Sequence, residues 1–222
     1  ILAGETAEEF CARLAQQALT SNDLGDVAIV TWAAEELGQP SAGALRERML
    51  RLLDGQAVAY SVEVAWVLSA LSAAHEGGEV KEAARRVQGR LLGAFSRDAG
   101  VFRHRAGPPR PAGIRDHVAC FADQVYPIQA LARFPTRLGD EASLAAARQC
   151  ADRICRLQGE QGQWWWHYDT RTGGVVEGYP VYSVHQDAMG PMALFDLDEA
   201  GGGDHSEAIR RSFSRARDRR DI

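Results

Sequence analysis

Leu92-Gly-Ala-Phe95-Ser96-Arg-Asp-Ala-Gly100-Val-Phe102 falls on Ile154-Cys-Arg-Leu157-Gln158-Gly-Glu-Gln-Gly162-Gln-Trp164 when the chain is aligned with itself at an offset of 62 residues. The match extends on both sides. Asp123-Gln-Val-Tyr-Pro127-Ile128 falls on Asp187-Ala-Met-Gly-Pro191-Met192 at an offset of 64, and Glu63 to Leu71 falls on Asp123 to Leu131 at an offset of 60. A looser copy starts at Asp26-Val-Ala-Ile-Val-Thr-Trp32. Self-similarity at a nearly fixed period is the mark of a repeat architecture. Apolar residues spaced three and four apart make the repeated unit helical, and it reads as a helical hairpin used about four times.

The same periodicity predicts helices at about 6–19, 24–37, 42–53, 57–74, 79–95, 116–134, 141–158, 184–199 and 205–217. Thr6-Ala-Glu-Glu reads as a capping box, and Gly38-Gln39-Pro40, Asp54-Gly55, Gly77-Gly78 and Gly201-Gly202-Gly203 read as breaks. Gly100 to Gly113, with Pro108, Pro109 and Pro111, is expected as a loop, and Gly159 to Pro180 as an ordered loop or short hairpin. Segments 79–95 and 141–158 are amphipathic and rich in Arg and Glu, whereas 57–74 and 116–134 are apolar nearly all round. The first kind belongs outside and the second inside. Alternating inner and outer helices curl into an α/α toroid or barrel, the arrangement preferred over a flat solenoid. A closed six-hairpin ring would need about twelve helices, so this all-α chain is expected to form an open or incomplete ring. Residues 1–222 are expected to form one domain ending in a basic helix and tail at about 205–222.

Composition fits that reading: 45% hydrophobic and 25% charged residues in 222 exclude a disordered, collagen-like or disulfide-framed chain. The net charge is −5, and residues 209–222 carry six Arg against Asp218 and Asp221. The acidic remainder argues against nucleic acid as a partner. No apolar run is long enough for a transmembrane helix and no leader-like start is visible, so a cytoplasmic protein is expected. Lys81 is the only lysine, a bias expected of a bacterial G+C-rich coding sequence. Cys11, Cys120, Cys150 and Cys155 lack CxxC spacing and are expected as free thiols.

Gln158-Gly-Glu-Gln-Gly162-Gln-Trp164 resembles the QW repeat of squalene-type and other terpenoid cyclases, found in looser form in prenyltransferase toroids. The resemblance implies an α/α toroid and a structural role for Gln158, Gly162 and Trp164, with the glutamine tying an outer helix end to the next helix. It further implies an isoprenoid-type, apolar substrate handled by acid/base chemistry. The cyclases' DxDD motif is missing, and the nearest string is Asp196-Leu-Asp198-Glu199. The chain also lacks a diphosphate–magnesium motif, a Walker A loop, a G-x-S-x-G elbow and H-E-x-x-H.

The repeat puts Glu63, Asp123 and Asp187, and with them Asp26, at corresponding positions near the starts of inner helices, where they would converge on one rim of a toroid. Acids at helix starts also cap free amides. Asp123, Asp187 and His185 are therefore the expected catalytic residues. Glu63, Trp165, Trp166, His167, Tyr168, Asp169, Glu177, Tyr179 and Tyr182 are expected to bind substrate, because aromatic rings with polar tips suit a pocket wall. His117, Cys120 and Asp123 would share a face if 116–134 is one helix, but no metal and no cofactor is expected. Two further functions compete with the isoprenoid enzyme. One is a six-hairpin-type carbohydrate enzyme with paired carboxylates, whose rings would stack on glycan. The other is a non-catalytic toroid scaffold that binds a partner protein or lipid through its concave face; a small-molecule substrate, isoprenoid or glycan, is the partner expected of the enzymes, and an additional domain or a homo-oligomer is a further expectation.

Overall fold

A computed structural model describes residues 4–74, 77–108, 114–134 and 140–218. Its helices are α1 (Ala7–Ala18), α2 (Leu24–Glu36), α3 (Ala42–Asp54), α4 (Ser61–Ala73), α5 (Gly78–Gly93), α6 (Ala122–Arg133), α7 (Glu141–Arg156), α8 (Gly190–Glu199) and α9 (Ser206–Asp218). α8 continues from a π-turn at His185–Met189. The expected loop residues Pro109 and Pro111, and the last four residues of the basic tail, lie outside the described residues.

The polarity contrast sorts the helices into two layers. α4 buries nine of its thirteen residues, from Ser61 to Ala73, while α5 buries only Ala83, Ala84, Val87 and Leu91. α2, α4, α6 and α8 pack side by side as an inner arc, and α3, α5 and α7 each back the inner helices, with α1 on α2 and α9 on α8. The capping box expected at Thr6 is formed, with Thr6 Oγ1 accepting from the Glu9 amide and Glu9 Oε2 from the Thr6 amide. Among the described residues no helix is long and apolar enough to cross a membrane.

Short strands at one end of the arc differ from the expected uninterrupted helices. β1 (Ala59–Tyr60) leads into α4 and pairs with β4 (Arg105–Ala106); β5 (Val118–Cys120) leads into α6 and pairs with β6 (His167–Asp169). β2 (Phe95–Ser96) and β3 (Val101–Phe102) form a small hairpin after α5. Residues Ile114–His117 form a 3-10 turn. The helix predicted at 116–134 therefore starts at Ala122, and His117, Cys120 and Asp123 do not share a helical face.

Two buried glutamines lock the repeat. The Phe102 amide donates to Gln124 Oε1 at 2.8 Å and Gln124 Nε2 donates to the Phe102 carbonyl at 3.1 Å. One unit on, the Trp164 amide donates to Gln186 Oε1 at 3.0 Å, and Gln186 Nε2 donates to the Gly162 carbonyl at 2.8 Å. Gln158 Nε2 donates to the carbonyls of Gly162 and Ala208 at 3.1 and 3.0 Å, tying the end of α7 to α9. Trp164 is fully buried and stacks on Phe121 with ring centroids 5.8 Å apart. The Gln158–Gly162–Trp164 stretch is thus a structural tie.

Gly162 carries the tightest backbone approach of that tie. Its φ is +77°, and a Cβ there would stand 1.9 Å from the Arg211 carbonyl oxygen. Gly162→Ala should therefore lower stability by roughly 3–5 kcal/mol, since it adds a backbone clash to a left-handed conformation. Gly38 has φ +61° with nothing within 4 Å, so Gly38→Ala should cost only about 1–2 kcal/mol. Equal melting shifts for the two variants would contradict this packing.

Candidate functional site

The strand pairs place a band of polar and aromatic side chains at the starts of the inner helices. The Ser61 amide donates to the His104 carbonyl at 3.0 Å, which seats His104 beside the start of α4. The corresponding bond one unit on runs from the Phe121 amide to the Trp166 carbonyl at 2.9 Å. His104 and Trp166 are thus equivalent at an offset of 62, as are Gln124 and Gln186. Asp123 then corresponds to His185. The ring of three equivalent acids needs correction: the π-turn advances the chain between Gln186 and Pro191, and Asp187 sits within that turn.

Asp123 is completely buried. Its Oδ2 accepts from the Cys120 amide at 2.8 Å and lies 2.9 Å from His104 Nδ1. An ionised carboxylate can only accept, so at this contact His104 Nδ1 is the donor. The His104 ring also lies 4.8 Å from that of Tyr60, which is half exposed. Glu63 Oε2 accepts from the Tyr60 amide at 3.0 Å. Glu63 thus closes a capping box at the start of α4, whereas Asp123 ties the end of β5 to the first turn of α6.

Glu63 has a second property. Burial pushes its carboxyl up from the ordinary glutamate range, a push opposed by the Tyr60 amide and reinforced by nearby Asp23. The glycine at position 25 makes room for this arrangement, because a Cβ there would stand 3.1 Å from Asp23 Oδ1 and 3.3 Å from the Trp66 ring. Trp66 meets Tyr126 edge-on at 5.1 Å, and the Tyr126 hydroxyl reaches Met189 Sδ at 3.9 Å, which continues an apolar wall along the inner helices.

The expected substrate wall divides into four groups. Trp166 packs against His185 at 4.9 Å and against exposed Tyr182 at 5.9 Å, forming one aromatic platform. Ser183, beside it, holds φ +55°, an uncommon conformation for a non-glycine residue. His167 pairs with Glu177 in the open, and Tyr179 is 66% exposed. Trp165 is half-buried, with Nε1 donating to the Leu157 carbonyl at 2.6 Å. Tyr168 and Asp169 do not fit the wall. In β6 the side chains alternate, so His167 shares a face with its partner Cys120 while Tyr168 turns into the core and is fully buried. Asp169 is held well below the ordinary carboxylate range by Arg171, 2.7 Å away, and closes the turn at 169–173.

Two other acidic expectations become structural. Asp26 is exposed beside Ser21, while Asp23 caps α2. Asp196 accepts from Gln129 and Arg133 at 2.7 and 2.9 Å, and Asp198 Oδ1 lies 2.5 Å from Nδ1 of buried His205. A cleft of about 520 Å³ is lined by Arg103, Arg105, Asp116, His117, Thr170 and Arg171. Its arginines are already engaged, by the Gly93 carbonyl, Asp116 and Asp169 respectively. His104 and Tyr60 escaped the sequence reading. The one available signal was that His104 falls on Trp166 at the offset of 62.

No sequence-family model and no curated protein sequence matches the chain. Solved structures do match over nearly its whole length. An inactive variant of the α-1,6-mannanase GH76A of Salegentibacter sp. HEL1_6, with two aspartates replaced and α-1,6-mannotriose bound, superposes with a TM-score of 0.69. It shares 14% identity over 95% of this chain. The fold is an α/α toroid. The unsaturated glucuronyl hydrolase of Bacillus sp. GL1 matches this toroid with a TM-score of 0.67 and 16% identity over 97% of the chain. The cellobiose 2-epimerase of Bacillus thermoamylovorans B4167 matches with 0.65 and 9% over 96%. The toroid described here spans 69%, 67% and 60% of those three chains.

Proposed function

We propose that this toroid is a carbohydrate-active enzyme that binds a sugar across the rim formed by Tyr60, Glu63, His104, Trp166, Tyr182, His185 and Asp187. The observation that carries the reading is the setting of Glu63: a half-buried carboxyl raised by burial, beside a His104 oriented by buried Asp123, at the end of the arc that also holds the aromatic platform. A carboxyl raised above the ordinary glutamate range is better fitted to donate a proton than an unshifted one. The second carboxylate is assigned to Asp187, which is half-buried in the π-turn that also carries His185. Tyr60, Trp166 and Tyr182 offer the faces on which sugar rings stack, and His104 and His185 offer ring nitrogens to hydroxyls. The similar structures include a mannanase, a glucuronyl hydrolase and an epimerase, all named for work on sugars, which supports a glycan over an isoprenoid.

Thermal melting of the purified chain with α-1,6-mannotriose, with cellobiose and with a neutral polyprene tests this reading. A sugar present at 100 times its dissociation constant stabilises the fold by about 2.7 kcal/mol, which raises the midpoint by several degrees at this chain length. A rise with a sugar that is lost in Trp166→Ala is the expected result. A rise with the polyprene alone would return the apolar wall of Trp66, Tyr126 and Met189 to an isoprenoid role.

A further inference from the structure

His104, Cys120 and Asp123 come from three different elements: the loop before β4, the end of β5 and the first turn of α6. Their donor atoms, an imidazole nitrogen, a sulfur and a carboxylate oxygen, all lie within 4.8 Å of one another. The second observation is independent of that grouping. Asp123 is 0% exposed, and its Oδ1 has no hydrogen-bond partner among the described residues. Buried carboxylate oxygens are nearly always satisfied, and an orphan in a polar cluster points to a missing ion or water.

We infer that His104, Cys120 and Asp123 form a three-ligand site for a borderline divalent cation of the zinc class, with the fourth position turned to solvent or substrate. The donor set is mixed N, S and O, which suits zinc and excludes the all-oxygen preference of calcium and magnesium. Three protein ligands and an open position is the arrangement of catalytic zinc sites. The spacing requires little movement. The three donor atoms already stand within 4.8 Å of one another, and Oδ1 of Asp123, the oxygen not committed to the Cys120 amide or to His104, is the one left to enter.

Proton balance follows from the same contacts. Without metal, Cys120 enters as a thiol, the ordinary form of a cysteine near neutrality. Loading releases that thiol proton to solvent as the zinc–sulfur bond forms. The His104 proton moves from Nδ1 to Nε2 as Nδ1 turns to the metal, so one proton leaves per cation bound, and binding strengthens as pH rises.

The test uses the whole chain, stripped with a chelator and titrated with Zn2+ by calorimetry and with Co2+ by visible absorption, without sugar. The expected result is one cation per chain, with the absorption of tetrahedral cobalt and a thiolate-to-metal band. Cys120→Ser should abolish the thiolate band. Cys120→Ser and His104→Ala should each weaken binding by more than about 100-fold, beyond the loss typical of an outer-shell partner. Cys155→Ser, remote from the cluster, should bind as the parent does. His104 is half-exposed, so His104→Ala, checked by circular dichroism, serves even if the Cys120 variant fails to fold. Absence of one-to-one binding, a cobalt complex without the thiolate band, or undiminished binding by both variants would overturn the site. The proposal is separable from the sugar reading, because metal binding is read without sugar and sugar binding is read without added metal.

Discussion

Trp164→Ala should lower stability by roughly 3–5 kcal/mol, the range for a buried large aromatic truncated in a core. At roughly 2–4 °C per kcal/mol for a chain of this size, the melting midpoint falls by about 10 °C or more. Two losses combine. The ring leaves a cavity against Phe121, which it stacks on at 5.8 Å, and the backbone of residue 164, held by Gln186, loses its packing reference. Trp164→Phe keeps a ring against Phe121 and should show less than half that shift. It also removes an indole N–H that is buried without a partner among the described residues. An Ala variant that melts with the parent would mean that the tie among α7, the π-turn and α9 is not where this part of the fold is held.

Glu63→Gln should lower turnover of a stabilising sugar by about 10²–10⁴-fold, the usual contribution of a positioned proton donor. Stability should move the other way or not at all. The amide oxygen of glutamine can still accept from the Tyr60 amide, and the substitution removes a charge whose burial is unfavourable. The pH dependence has a defined sign. A carboxyl raised in the folded state contributes stability that is present below the ordinary glutamate range and is lost as pH rises through its raised value. The glutamine variant should therefore gain on the parent as pH rises through that window. The parent's turnover should fall through the same window, because the protonated form is the donor. If turnover is unchanged while only the melting curve moves, Glu63 is a helix cap and no more.

The two predictions address different layers of the repeat, and the layers differ in how readable they were. Gln158, Gly162 and Trp164 announce themselves as a local string, and the structure ties them to one another and to α9 through bonds that follow that string. The rim is another matter. His104 has no motif around it, and it enters the site because the loop after α5 returns along the start of α4 and stops beside Asp123, 19 residues on. The strands responsible are two or three residues long, too short to carry a period of two. Composition assigns Tyr168 and Asp169 to a pocket wall, yet pairing with Val118–Cys120 turns one into the core and leaves the other to a turn. The π-turn at His185–Met189 likewise separates two alignments that a linear comparison merges, so that His185, and not Asp187, occupies the place of Asp123.

By itself the sequence determined the order of the helices among the described residues, their division into apolar inner and amphipathic outer members, and the repeat that curls them into a toroid. Those are consequences of periodicity and burial, which each segment carries in its own residues. The tertiary structure decided which rim residues meet: His104 with Asp123 and Cys120, Trp166 with His185, and Glu63 with a setting that raises its carboxyl. Such meetings depend on where connecting segments return over the helix starts, and on the loss of solvent around a carboxyl once they do. Neither quantity is a property of any one stretch of chain.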